Sequence, residues 1–143
     1  KGLSFKKGSA ESIPEPSESF DTVVNVESAR CYRDIRKFFE EVYRVLTPDG
    51  SFLFADMMEE DHIHEIKQSL KNTGFSLIEE KDITANVAKG LEKDSKRREK
   101  LIQGRIPVGL RKAFKSFAGT RGTNRFNSFS NGKYRYFSFT LKK

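Results

Sequence analysis

Several short groups of residues carry side chains able to do chemistry. Asn25-Val26-Glu27 closes the β-branched, mostly apolar run Phe20–Val26. An amide and a carboxylate at the carboxyl end of a strand stand where open α/β sheets bind ligands. Glu27 could take a proton from a hydroxyl, or equally serve as a carboxylate at a helix start. Asp56 ends the run Ser51–Asp56 and is expected either to face a substrate or to cap the loop that follows. Cys31 is the only cysteine, so no intramolecular disulfide can form, and no Cys–His pair marks it as a nucleophile. His62 and His64 lie beside Glu59, Glu60 and Asp61. Their types suit a metal, but residues i and i+2 do not share a helix face, so a solvated surface and no metal are expected.

The elements that must position these groups follow from periodicity. Leu3–Lys7 is a short strand candidate ending at Gly8, and Pro14 and Pro16 mark Ser12–Ser19 as a loop. Phe20–Val26 is continuously apolar, as in a strand covered on both faces. Ile35, Phe38, Phe39, Val42, Val45 and Leu46 give a helix over Asp34–Leu46. Thr47-Pro48-Asp49-Gly50 stops it, and Ser51–Asp56 is the next strand. A helix from Asp61 to Asn72 turns Ile63, Ile66 and Leu70 inward, with Gly74 as its stop, and Phe75–Ile83 is a third strand. Thr84 to Gly119 is helical and very basic, interrupted at Gly104 and Pro107. Gly122–Gly132 is a polar loop carrying Phe126 and Phe129, and Tyr134–Leu141 is the last strand. Strands alternating with helices define an α/β open sheet, with the last two strands antiparallel at one edge.

Composition sets the outer limits. The 143 residues are 36% hydrophobic and 33% charged, with 13 Phe, which fits one folded domain and excludes wholesale disorder. No apolar run approaches the ~20 residues of a membrane span, and no signal peptide is visible. The chain starts at Lys1 without Met, so a truncated or processed protein is expected. The net charge of +7 is split: residues 1–84 carry 11 Lys/Arg against 17 Asp/Glu, and residues 85–143 carry 16 against 3. The basic half, with Lys93, Lys96, Arg97, Arg98 and Lys100, reads as a solvated face or as a surface for an anionic membrane or a nucleic acid backbone. Tyr134, Tyr136, Phe137 and Phe139 could stack on bases but are more simply core.

Three segments in order resemble class I S-adenosylmethionine-dependent methyltransferases. Gly8-Ser9-Ala10-Glu11-Ser12-Ile13-Pro14 resembles the family's G-D-A-x-x-L-P turn. Ser19–Val24 resembles its S-F-D-x-V-x strand. The run Phe39-Glu40-Glu41-Val42-Tyr43-Arg44-Val45-Leu46-Thr47-Pro48-Asp49-Gly50-Ser51-Phe52-Leu53 resembles its E-x-x-R-V-L-x-P-G-G-x-x-x run into the fifth strand. Val24–Tyr32 is further similar to the N-V-E-S-S-H-C-Y segment of the phthiotriolone/phenolphthiotriolone dimycocerosate methyltransferase group, as is the tail from Phe117.

The resemblance implies a truncated Rossmann-like class I methyltransferase sheet with an antiparallel last strand and a helical insert before it. Residues 1–143 would be a partial domain lacking the glycine-rich loop and the acidic residue after the second strand, and 84–133 the basic insert and loop within it. The family strand order 3-2-1-4-5-7-6 leaves the strands at residues 20, 51, 75 and 134 as a contiguous sheet, with Leu3–Lys7 displaced. The implied cofactor is S-adenosylmethionine, met by Gly8, Ser9, Ala10, Glu11, Asn25 and Val26. Ser9 replaces an Asp that accepts from the adenine amino group; its hydroxyl can accept with less charge assistance. Arg30 replaces a His and Asp49 a Gly. Glu27 is the candidate base, while Cys31, Tyr32, Asp56, Phe114 and Phe117 are candidates for the acceptor pocket. The expected reaction is methyl transfer to a hydroxyl of an apolar, lipid- or polyketide-like molecule, in the cytoplasm or at a membrane periphery, with this chain inactive alone. The rival expectations are a non-catalytic module for nucleic acid or anionic lipid, and an RNA methyltransferase.

Overall fold

The computed structural model describes residues 2–118, 120, 122–123, 127 and 133–143. Strand β1 spans Phe20–Val26, helix α1 Ile35–Val45, β2 Leu46–Glu59 and α2 Ile63–Thr73. They are followed by β3 at Ser76–Asp82, α3 at Thr84–Arg105, α4 at Arg111–Phe117 and β4 at Tyr134–Lys142. Short 3-10 turns stand at Ala29–Cys31, Glu60–His62 and Val108–Leu110. The strand order is β1-β2-β4-β3, the order expected from the family pattern, and β1 runs parallel to β2. Lys143 N–H donates to Gly50 O and Glu60 N–H to Lys133 O, so β4 runs antiparallel to β2.

The chain divides into two compact units. The first holds residues 1–57, 61–81 and 137–143, and the second residues 58–60 and 82–136. In the first, α1 buries Phe38, Phe39, Val42 and Val45, the stripe read from the sequence. Its N-cap is Asp34, whose carboxylate accepts from the Arg36 and Lys37 N–H groups. The ring of Phe39 meets Phe54 edge-on at 5.6 Å, and Phe54 stacks on Phe52 at 5.5 Å and on Phe139 at 6.0 Å. Each such ring contributes about 1.5–3 kcal/mol by burial. Gly74 closes α2 at φ 110°, in the left-handed region expected of a helix stop.

Three details differ from the sequence reading. Residues 2–8 form no strand, and Leu3 and Phe5 are exposed, in keeping with the expected displacement of that segment. The Thr47–Gly50 turn does not separate helix from strand but bulges within β2. Phe20 pairs with Leu46 and Thr22 with Ser51, with Asp49 at φ 60°. The bulge is held from β4, where the Lys142 ammonium donates to Asp49 O and that of Lys143 to Leu46 O. Strand β2 also runs past Asp56 to Glu59, so Asp56 lies inside the strand and not at its end. Phe126 and Phe129 lie outside the described residues.

In the second unit, α3 extends through Gly104 and ends before Ile106 and Pro107. Arg98 pairs with Asp94 and donates to Ala118 O at 2.6 Å. Tyr136 N–H donates to Thr84 Oγ1, fixing the start of α3 against the start of β4.

Candidate ligand site at the carboxyl end of β1

Asn25 ends the inward-facing register of β1 and is 7% exposed. Its Nδ2 donates to Ser28 Oγ at 2.8 Å and to the Tyr32 hydroxyl at 2.7 Å, and that hydroxyl donates to Ser28 Oγ at 3.0 Å. The other end of the same amide, Asn25 Oδ1, is buried without a hydrogen-bond partner among the described residues. A buried unsatisfied acceptor costs about 1–3 kcal/mol. An orphaned acceptor at the carboxyl end of a parallel strand has the chemistry to take a ligand's donor.

The next residues turn sharply. Glu27 takes φ 58°, which costs a non-glycine residue about 1–2 kcal/mol, and its N–H donates to Ala55 O at 3.0 Å. Its carboxylate meets Arg30 Nη2 at 3.3 Å, and Arg30 Nη1 stands 3.8 Å from Asp56 Oδ1. One guanidinium therefore spans two carboxylates at the rim. Asp56 itself is 2% exposed. Its Oδ2 accepts from the Ala29 N–H and its Oδ1 from the Met57 N–H, both at 2.8 Å. Burial pushes this carboxyl up, against the opposing pull of the Met57 and Ala29 N–H groups and the Arg30 charge. The carboxylate is thus engaged with the turn after β1 and not with the loop after its own strand.

The Gly8–Glu11 turn reaches the same region. Ser12 N–H donates to Ser9 O, and Glu11 N–H to Ser9 Oγ, both at 3.2 Å. A Cβ on Gly8 would fall 2.6 Å from Pro14 Cδ, so the turn needs glycine there. Glu11 Oε1 accepts from the Arg33 N–H at 2.6 Å and the Asp34 N–H at 3.0 Å, pinning the turn to the start of α1. Ser9, Ala10, Glu11, Cys31, Tyr32 and Arg33 line an open depression of about 300 Å³. Tyr32 belongs both to this depression and to the Asn25 cluster, so the two groups of candidates share one side chain.

The remaining candidates are placed differently. Val26 is exposed beside Asn25, and Cys31 is exposed. Phe114 and Phe117 lie on α4 in the second unit, both exposed. Among the described residues no group of three or more His, Cys, Asp or Glu could hold a metal ion. Three contributors escaped the sequence reading: Ser28, the bridging role of Arg30, and the pair Glu41–Arg44. Ser28 sits three residues after Asn25, the spacing of a local side-chain bond, which was the available signal. The E-x-x-R spacing on α1 was the signal for the third: Arg44 grips Glu41 through two bonds of 2.7 and 2.8 Å while donating to Glu15 O and Ile13 O.

Residues 1–54 match the methyltransferase-domain family. With the strand order and the solved neighbours, this bears out the resemblance to class I S-adenosylmethionine-dependent methyltransferases. The chain is 36% identical over 141 residues to a phthiotriol/phenolphthiotriol dimycocerosates methyltransferase of Mycobacterium tuberculosis, covering 97% of this chain and 52% of that protein. It is 30% identical over 138 residues to a fatty-acid O-methyltransferase of Mycolicibacterium smegmatis, covering 96% and 50%. The chain therefore spans about half the length of the curated relatives it matches. A phosphoethanolamine N-methyltransferase of Haemonchus contortus, solved in complex with S-adenosyl-L-methionine, shares the fold. Its TM-score is 0.77 at 18% identity, over 94% of this chain and 35% of that one.

Proposed function

We propose that this chain is the carboxyl-terminal part of an S-adenosylmethionine-dependent O-methyltransferase. Its acceptor would be a hydroxyl on an apolar, lipid- or polyketide-like molecule, and the chain would be inactive without the glycine-rich half of the cofactor site. The observation that carries this reading is the buried, unpartnered Asn25 Oδ1 at the carboxyl end of β1. Asn25 would hold the cofactor's amino-acid part, and the Gly8–Glu11 turn would meet its adenine through Ser9. When bound, the cofactor supplies a sulfonium methyl already activated for transfer, so no protein nucleophile is required.

Glu27 is the group at the rim that can take the hydroxyl proton, with Arg30 holding its carboxylate in place. Cys31 and Tyr32, which line the depression beside the Gly8–Glu11 turn, would meet the acceptor. The lipid substrates named for the two mycobacterial relatives support this acceptor class, and they lend nothing to the RNA or non-catalytic readings.

The test uses a longer protein in which this chain follows a glycine-loop half. Asn25→Ala should weaken S-adenosylhomocysteine binding about tenfold or more by calorimetry, the loss of one good hydrogen bond to a charged group. Glu27→Gln should leave that affinity alone and abolish transfer to a long-chain hydroxyl acceptor. Unchanged cofactor affinity in Asn25→Ala would end this assignment of the site.

A further inference from the structure

Helix α3 buries only Ser95 and Ile102, so most of its 22 residues face outward. Lys89, Lys93, Lys96 and Lys100 follow one another at i, i+4, i+7 and i+11, which places all four on one helix face. The stripe runs about 16 Å along the axis. All four lysines are exposed, and none pairs with a carboxylate among the described residues. Asp94 is on a different face and is taken by Arg97 and Arg98. Like charges at these spacings weaken a helix, so the row is unfavourable to the fold that carries it and suits a polyanionic partner.

Near the carboxyl end of the same helix, and in the turn after it, three apolar side chains face outward. Leu101 is 41% exposed, and in the turn that follows Val108 is 75% and Leu110 53% exposed. This turn is fixed to α3: the Arg111 guanidinium donates to Gln103 O at 2.7 Å and to Ile106 O at 2.9 Å, closing carbonyls at the helix end. A lysine row and a rigidly mounted apolar tip thus belong to one compact unit.

We propose that α3 and the Val108–Leu110 turn form a docking surface for an anionic phospholipid bilayer, the lysines meeting headgroup phosphates and the turn entering the acyl boundary. A nucleic acid backbone would satisfy the lysines and leave Val108 and Leu110 against charged phosphates. A bilayer interface takes both. Among the described residues no helix is long and apolar enough to cross a membrane. The inference needs neither cofactor nor acceptor and stands apart from the methyl-transfer reading.

The experiment is co-sedimentation of the 143-residue chain with vesicles of phosphatidylcholine, alone or mixed equally with phosphatidylglycerol. Binding is expected to the mixed vesicles only, and to be released by high salt. The pair Lys93→Gln and Lys96→Gln should lower the partition coefficient about fivefold per lysine, roughly 25-fold together. The pair Val108→Ser and Leu110→Ser should lower it by about tenfold and leave the salt dependence in place. The residues are all exposed, so unchanged circular dichroism is expected of both variants, and the salt titration of the unaltered chain tests the charge component without any substitution. Equal binding to both vesicle types overturns the proposal, as does a lysine pair that can be neutralised without effect. So does lysine-dependent binding of polyuridylate in the absence of vesicle binding, or a dimer that the Leu110→Ser change dissolves in a chain that ignores vesicles.

Discussion

Asp56 Oδ2 accepts the backbone N–H of Ala29 at 2.8 Å, across 27 residues of sequence and with both residues buried. This bond ties β2 to the turn that leaves β1. It sets the path of Ser28–Tyr32, and so brings Ser28 and Tyr32 back over Asn25. The candidate site is therefore supported from the neighbouring strand, which also accepts the Glu27 N–H at Ala55 O.

Removing that support should be costly. Asp56→Ala leaves the Ala29 N–H buried without an acceptor, and a loss of about 3 kcal/mol is expected in urea unfolding. The pH dependence has a definite sign. Burial raises the Asp56 carboxyl above its ordinary 3.8, so the folded chain holds this proton to higher pH than the unfolded chain does. The group's contribution to stability must fall as pH rises from 3.8 through the raised value. The stability of the wild-type chain relative to Asp56→Asn should follow that fall and then level off. A difference that is flat or rises across the window would contradict the assignment.

Glu27 carries backbone strain at a position where a carboxylate is proposed to act. Glu27→Gly relieves the left-handed conformation and should stabilise the chain by about 1 kcal/mol, while Glu27→Ala, equally strained, should not. Thermal unfolding of the two variants separates backbone from side chain. If both substitutions have the same effect, the strain at φ 58° is not what limits stability there.

Gly74 is constrained twice over. Its φ is 110°, and a Cβ there would stand 3.1 Å from the Tyr43 ring. Gly74→Ala should lose about 2 kcal/mol, and Gly74→Ala with Tyr43→Leu should lose less than the sum of the two single changes, because the clash is shared. Strict additivity in a double-mutant cycle would show that the left-handed backbone alone sets the cost.

The α1 stripe was legible because it rests on local periodicity: Phe38, Phe39, Val42 and Val45 announce one buried face. The helix stop at Gly74 was legible for the same local reason. The strand order was legible only through the family resemblance, because periodicity marks strands without saying which ones pair. The bulge at Thr47–Gly50 was not, because it depends on Lys142 and Lys143 arriving from the far end of the chain to take the Asp49 and Leu46 carbonyls. Asp56 was legible as a candidate but not in its role, since nothing near it in sequence shows that its partner is the Ala29 N–H. Asn25 was read from its position at a strand end. Its half-satisfied amide depends on Ser28 and Tyr32 folding back over it, which a turn held by Asp56 makes possible.

Arg44 gives the sharpest test of how α1 governs the loop that leads from the Gly8–Glu11 turn. Its guanidinium makes a two-pronged contact with Glu41 and also donates to Glu15 O at 2.9 Å and Ile13 O at 3.0 Å. Glu41 Oε2 in turn accepts the Ile13 N–H at 2.7 Å. This arrangement uses the planar five-donor fork of arginine, which an ammonium cannot reproduce. Arg44→Lys should therefore behave like Arg44→Ala: the Ile13 amide should lose hydrogen-exchange protection in both, while the amides of Val42 and Val45 keep theirs. The hydrogen bond from Arg44 is the main cause holding the Glu41 carboxyl below its ordinary 4.5, with the Ile13 N–H adding to it against burial. The stability this pair supplies is present above that value and is lost as pH falls through the lowered one. Acidification of the wild-type chain should then expose the Ile13 amide before α1 melts. Protection of Ile13 that survives in Arg44→Lys would mean the loop is held by packing, and the fork geometry would be incidental.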